Sequence, residues 1–157
     1  KIREQSKDPD RYDLVFKGVE FEPGKLEAVS YLGNKKVLSK AVHTAESAYR
    51  IKLMAENSIA KNGSDELFFV QAFIVDQYDT IVPDAADEIE FMTDSANTTV
   101  IVTDNGNTAD LTSFQSTARR AFNGKALVMI KSKEKGKIIL RAKSKGLLAD
   151  EVVLMSE

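Results

Sequence analysis

Apolar residues in this sequence recur at every second position far more often than at helical spacing, and that alternation commits the chain to strands. Successive side chains of a strand point to opposite faces, so an alternating run marks a sheet with one buried and one solvated side. Leu67–Asp76 is the most apolar such run, and Ile51, Leu53 and Ala55 alternate with Lys52 and Met54. Comparable segments are Tyr12–Phe16, Leu26–Tyr31, Val37–Val42, Ile89–Thr93, Val100–Thr103, Lys125–Ser132, Lys137–Lys143 and Glu151–Met155. Turn-forming residues separate them at Glu22-Pro23-Gly24, Gly33-Asn34-Lys35, Lys61-Asn62-Gly63-Ser64 and Val82-Pro83-Asp84. A parallel α/β architecture needs crossover helices, and no amphipathic stretch is long enough to supply them. Thr112–Phe122 has room for a helical turn or two and reads as a long connection between strands.

The spacing of about seven strands over residues 48–157 fits an all-β, immunoglobulin-like antiparallel β-sandwich, a pattern that invasin-like (Big-like) domains share. Residues 1–47 hold about three strands and a small polar linker, His43-Thr44-Ala45-Glu46-Ser47. A sheet that small is marginal alone. It is therefore expected to be the C-terminal strands of a truncated Ig-like domain, a partial second sandwich ahead of the complete one. The chain opens on Lys1 with no signal-peptide pattern, which suits a processed chain or one cut from something longer. Residues 1–47 should pair with another chain, as in a homo-oligomer, or cover a sheet edge, because open edges invite pairing.

Composition removes several kinds of chemistry. With no Cys and one His, His43, among 157 residues, there is no disulfide framework, thiol nucleophile or zinc cage, so neither metal nor cofactor is expected. No apolar run approaches the roughly 20 residues of a membrane helix, so no membrane insertion is expected. The eight glycines are scattered at turns and form no phosphate-binding loop. A serine nucleophile needs a base held against it, and His43 lies in the linker. Asp76, Asp79, Asp84 and Asp87 could be proposed for calcium, but their spacing lacks the glycine-turned loop of a calcium motif. Asp84, Asp87, Glu88 and Glu90 read more simply as a solvated acidic face.

Two short runs stand out. Thr103-Asp104-Asn105-Gly106-Asn107-Thr108 offers small amides and carboxylates suited to sugar hydroxyls, although Asn-Gly is also a strong hairpin-turn signal. Arg119-Arg120 precedes Phe122-Asn123-Gly124, and arginine forks often brace loops by bonding carbonyls and carboxylates. Read as a carbohydrate contact, the candidates are Asp104, Asn105, Asn107, Arg119 and Asn123, with Tyr78 and Phe114 as the loop aromatics.

The net charge of −2 conceals an asymmetry: residues 61–115 carry ten excess negative charges and residues 116–145 nine excess positive ones. Nucleic-acid binding would want aromatic platforms among those cations, and none are interleaved, so no nucleic-acid partner is expected. Cross-strand charge pairing is the simpler reading, with a charged face docking on a neighbouring domain as the alternative.

The residues also carry a family likeness. Phe21-Glu22-Pro23-Gly24-Lys25-Leu26-Glu27-Ala28-Val29-Ser30-Tyr31 resembles the segment that closes an Ig-like domain behind the catalytic barrel of bacterial β-galactosidases of glycoside hydrolase family 2. Leu67-Phe68-Phe69-Val70, Val75–Pro83, Asp104-Asn105-Gly106-Asn107, Arg119–Leu127 and Lys143-Ser144-Lys145-Gly146-Leu147 resemble successive elements of the domain that follows in that family. The resemblance implies a non-catalytic C-terminal fragment that supports the barrel of its parent and contributes to substrate access. Its partners would be the remaining domains of the parent enzyme and a galactoside or glycan, and its compartment periplasmic or extracellular. In that family two glutamates on the barrel act as acid/base and nucleophile with retention; neither their motifs nor the barrel occurs here, so no catalytic residue is carried over. The alternatives are a carbohydrate-binding module and an adhesion-type surface module.

Overall fold

The computed structural model describes residues 18–60, 67–94 and 98–157, with backbone alone at Ala60. The expected strand Tyr12–Phe16 and turn Lys61–Ser64 lie outside the described residues. The chain divides into two units between Thr44 and Ala45.

In the first unit, β1 (Lys25–Leu32) and β2 (Lys35–His43) form an antiparallel hairpin closed at Gly33, where φ is 60°. The pairs Leu26↔Val42 and Ser30↔Leu38 put Leu26, Leu38 and Val42 on one face, all three exposed. The opposite face mixes Val29 and Ala41 with a polar cluster around Glu27. Glu27 accepts from the Ser39 hydroxyl and pairs with Lys25 at 2.8 Å and Lys36 at 3.4 Å. Lys25 first, then Ser39 and Lys36, hold the Glu27 carboxyl down at about 2.

The second unit contains β3 (Arg50–Ala55), β4 (Ile59–Ala60), β5 (Leu67–Val75), β6 (Glu88–Thr93), β7 (Thr98–Asp104), β8 (Ala118–Arg120), β9 (Lys125–Ser132), β10 (Gly136–Lys143) and β11 (Asp150–Ser156). One sheet has the order β3-β5-β9-β7, and the other β4-β11-β10-β6-β8. β3-β5-β9-β7 with β11-β10-β6 reproduces the two strand sets of a constant-type immunoglobulin sandwich. All pairings are antiparallel except β4 with β11. There is no helix among the described residues, and Thr112–Phe122 contributes the short strand β8 where a connection or helical turn was expected. The two-residue β4 is likewise too short to leave an alternating pattern.

The alternation expected from the sequence is what buries the core. Phe68, Val70, Ala72 and Ile74 point inward from β5, and Phe68↔Ile130, Val70↔Val128 and Ala72↔Ala126 continue that face across β9. Ile89 and Phe91 from β6, Ile138, Leu140 and Ala142 from β10, and Leu154 from β11 face them. Each such fully buried large side chain contributes about 1.5–3 kcal/mol of hydrophobic stabilisation.

Two irregularities matter for the loops. A bulge at Ile101, between Val100↔Ile130 and Val102↔Met129, reverses the parity of β7. It turns Thr103 inward, where it is fully buried. Then Asn123 and Gly124, with φ of 52° and 71°, form a two-residue turn of the type that favours Asn-Gly. Phe122 and Lys125 exchange backbone hydrogen bonds of 2.9 and 3.1 Å across it. This turn carries the chain from β8 in one sheet to β9 in the other.

Candidate functional site

The alternation of β8 aims Arg119 into the sandwich, between exposed Arg120 and half-buried Ala118. A buried guanidinium is costly unless all its donors are met. Here Arg119, 1% exposed, donates from Nε to Thr103 Oγ1 (3.3 Å) and from Nη1 to Asp110 Oδ2 and the Thr112 carbonyl (3.1 Å each). Nη2 donates to the carbonyls of Thr103 (2.7 Å) and Ser113 (2.8 Å). One fork thus ties the end of β7 to the middle of the connection 105–117. The Thr112 N–H and hydroxyl, then Arg119, hold the Asp110 carboxyl well below the usual range.

The rest of the connection is built from short polar side chains capping their own backbone. Asp104 Oδ1 accepts from the N–H groups of Asn105 (2.7 Å) and Gly106 (3.1 Å). The Asn105 amide donates to Asp110 (2.7 Å) and the Arg120 carbonyl (2.9 Å), and its oxygen accepts from Asn107 N–H (2.9 Å). Asn107 in turn accepts from Ala109 N–H (3.0 Å). The Asn105-Gly106 pair therefore opens a long structured loop, where its other sequence reading was a hairpin turn. Four of the five candidate sugar contacts, Asp104, Asn105, Asn107 and Arg119, belong to this one network; Asn123 sits exposed in the turn before β9 and takes no part in it. Arg119 braces, as arginine forks in loops do.

What the loop presents outward is different: Leu111 is 97% exposed and Phe114 60%. The Arg119 guanidinium lies 5.8 Å from the centroid of the Phe114 ring. Phe114 was named from sequence, whereas Leu111 and Asp110 were not, and Thr103 stood only at the head of the polar run. The sequence carried no signal for them, because the three-residue β8 that turns Arg119 inward is too short to show a period.

Apart from this loop, a concave region of about 940 Å³ lies among Glu46, Tyr49, Gln77, Asp84 and Asp87. Its walls are fixed by Asp76, 1% exposed, which accepts from the N–H groups of Glu46, Tyr78 and Thr80, each at 2.9 Å. The Glu46 N–H foremost holds the Asp76 carboxyl below its usual value, against the opposing effect of burial. Asp79 is engaged by Arg50 and by Lys52 at 2.9 Å. Among the described residues, no group of three or more His, Cys, Asp or Glu is placed to hold a metal ion. Of the pairings expected between the acidic and basic segments, Arg119–Asp110 and Lys143–Glu90 (3.1 Å) occur, while Arg141 pairs with Glu151 (2.9 Å).

An all-β sandwich with a loop braced on a buried arginine, and with no helix among its described residues, defines the class of protein: a small immunoglobulin-like module. Residues 51–153 match the model of glycoside hydrolase family 2 C-terminal domain 5, and the chain belongs to that family. It is 34% identical over 142 residues to the β-galactosidase BoGH2A of Bacteroides ovatus, a match covering 90% of this chain and 16% of that protein. A β-glycosidase structure from Bacteroides vulgatus superposes with a TM-score of 0.76 at 30% identity, over 87% of this chain and 18% of that one. A family 2 member from Bacteroides cellulosilyticus, 24% identical, shares the fold at a TM-score of 0.80, over 88% and 18% of the two chains. The chain therefore spans less than a fifth of these relatives.

Proposed function

We propose that this chain is the C-terminal accessory part of a β-galactosidase-like enzyme, a sandwich that braces a catalytic barrel and performs no hydrolysis itself. The match of residues 51–153 to a C-terminal domain of glycoside hydrolase family 2, within relatives of which this chain spans less than a fifth, carries this reading, and Glu27, Asp76, Asp79 and Asp110 are locked low by hydrogen bonds and cations. Glycoside hydrolysis needs a carboxylic acid held protonated near neutral pH, opposite a second carboxylate. The β1–β2 hairpin supports the same reading, since its apolar face is suited to closing a preceding Ig-like sandwich, with residues 48–157 as the complete domain. The partners are then the other domains of the parent enzyme, in the periplasm or outside the cell, as the likeness to β-galactosidases suggests.

The test is direct. The purified chain, incubated with an aryl β-galactoside, should show no turnover above background. Turnover that disappears in Asp84→Asn or Asp87→Asn would overturn the proposal.

A further inference from the structure

We propose that the 105–117 loop is a contact site for a neutral oligosaccharide, with Phe114 as its stacking platform. Connections longer than roughly 12 residues with no secondary structure of their own are uncommon and usually functional. This one is rigid by construction, because Arg119 makes five hydrogen bonds, three into the loop and two to Thr103 at the strand end that launches it. A preorganised loop loses little freedom on binding.

The ligand class follows from what is presented and what is withheld. Asp104 and Asp110 are the loop's ionisable side chains, and both are engaged by N–H donors of the loop, Asp110 by Arg119 as well. The loop offers no free cation for a phosphate or carboxylate ligand. Its exposed surface sets the Leu111 and Phe114 side chains among small neutral neighbours, with Thr108, Thr112, Ser113, Gln115 and Thr117 supplying hydroxyl and amide groups. The Arg119 guanidinium lies 5.8 Å from the centroid of the Phe114 ring, and the residue remains 60% exposed. An exposed ring takes the apolar face of a pyranose, and neighbouring neutral amides and hydroxyls match its hydroxyl groups. The residues that look like sugar contacts in the sequence thus build the loop, and the contact itself falls to Phe114 and Leu111. This goes beyond the accessory role, and either can fail without the other, because the accessory role is read by hydrolysis and this one by binding.

The experiment is an amide-resolved NMR titration of the whole chain with lactose and with cellotetraose. Saturable shifts confined to Leu111–Gln115, with dissociation constants on the order of 1–10 mM, are expected for at least one of them. Phe114→Ala should weaken that binding about tenfold, and Leu111→Ala, at a fully open position, severalfold. Absence of shifts with both sugars, or binding unchanged in both variants, overturns the proposal. So do shifts at these amides that follow protein concentration alone, which would mark the loop as a protein-docking surface instead.

Discussion

A Cβ on Gly124 would lie 2.3 Å from the carbonyl oxygen of Val82 and 3.1 Å from Ile81 Cγ2, so the backbone of the 123–124 turn is seated directly beneath the 81–85 segment. The seat is bonded as well as packed: Gly124 N–H donates to Ala85 O at 3.0 Å, and its carbonyl accepts from Ile74 N–H at 2.8 Å. With φ of 71° and the Val82 carbonyl in the way, the position is unsuited to a residue with a side chain. Gly124→Ala should cost about 2–4 kcal/mol in urea denaturation. Asn123→Gly, which keeps the same turn, should stay within about 1 kcal/mol of the parent.

Arg119→Lys retains the charge and loses the fork. A lysine cannot bond Thr103, Thr112, Ser113 and Asp110 together, so the loop should loosen while the sheets persist. Hydrogen exchange should accelerate across 104–117 and stay slow at Phe68–Ile74. Arg119→Ala should be worse, by about 3–5 kcal/mol, because a partly buried acid loses its cation. Equal exchange in the parent and the lysine variant would contradict the bracing role.

Acid should destabilise the sandwich through Asp76 and Asp110. Both carboxyls titrate lower in the folded state than the roughly 3.9 of an unfolded aspartate, so their contribution is complete above about pH 4. It is lost as pH falls through the folded values, because the unfolded state then binds more protons. Urea midpoints measured from pH 6 downward should fall below pH 4, and Asp76→Asn should make that fall shallower. A midpoint that is flat down to pH 2 would refute the assignment.

Phe68→Ala removes a ring wholly enclosed between the sheets, opposite Ile130. It should cost about 3–5 kcal/mol. Leu38→Ala, on the exposed face of the hairpin, should leave the sandwich's urea midpoint unchanged within about 0.5 kcal/mol. A large effect at Leu38 would mean that the hairpin face is covered in solution.

The strands longer than three residues were legible because burial on one face writes itself as alternation, as at Ile51–Ala55 and Leu67–Val75. β4 and β8 were not, since two or three residues cannot show a period. The bulge at Ile101 was hidden for a related reason: Val100, Ile101 and Val102 are all apolar, so the shift in facing leaves no mark. At the loop, the residue types were readable and their duties were not. Asp104, Asn105 and Asn107 can serve a ligand or their own backbone equally well, and only the position of Arg119 inside the sandwich decides between the two. The Asn-Gly rule was sound, but of the two Asn-Gly pairs among the described residues it was 123–124 that formed the two-residue turn.

The sandwich joins its own beginning to its end. β4 runs parallel to β11, with Met155 N–H donating to Ser58 O at 2.8 Å, and Asp150 accepts from the Leu53 N–H at 2.7 Å across 97 positions of sequence. During synthesis β3 and β4 must therefore wait, half-covered, until the last strand leaves the ribosome. Contacts of such sequence separation carry a large loop-closure entropy, which slows their formation. A nascent chain halted before Asp150 would leave the flank of β10 and the backbone of Leu53 open, which is when this module is most exposed to mispairing and to proteases.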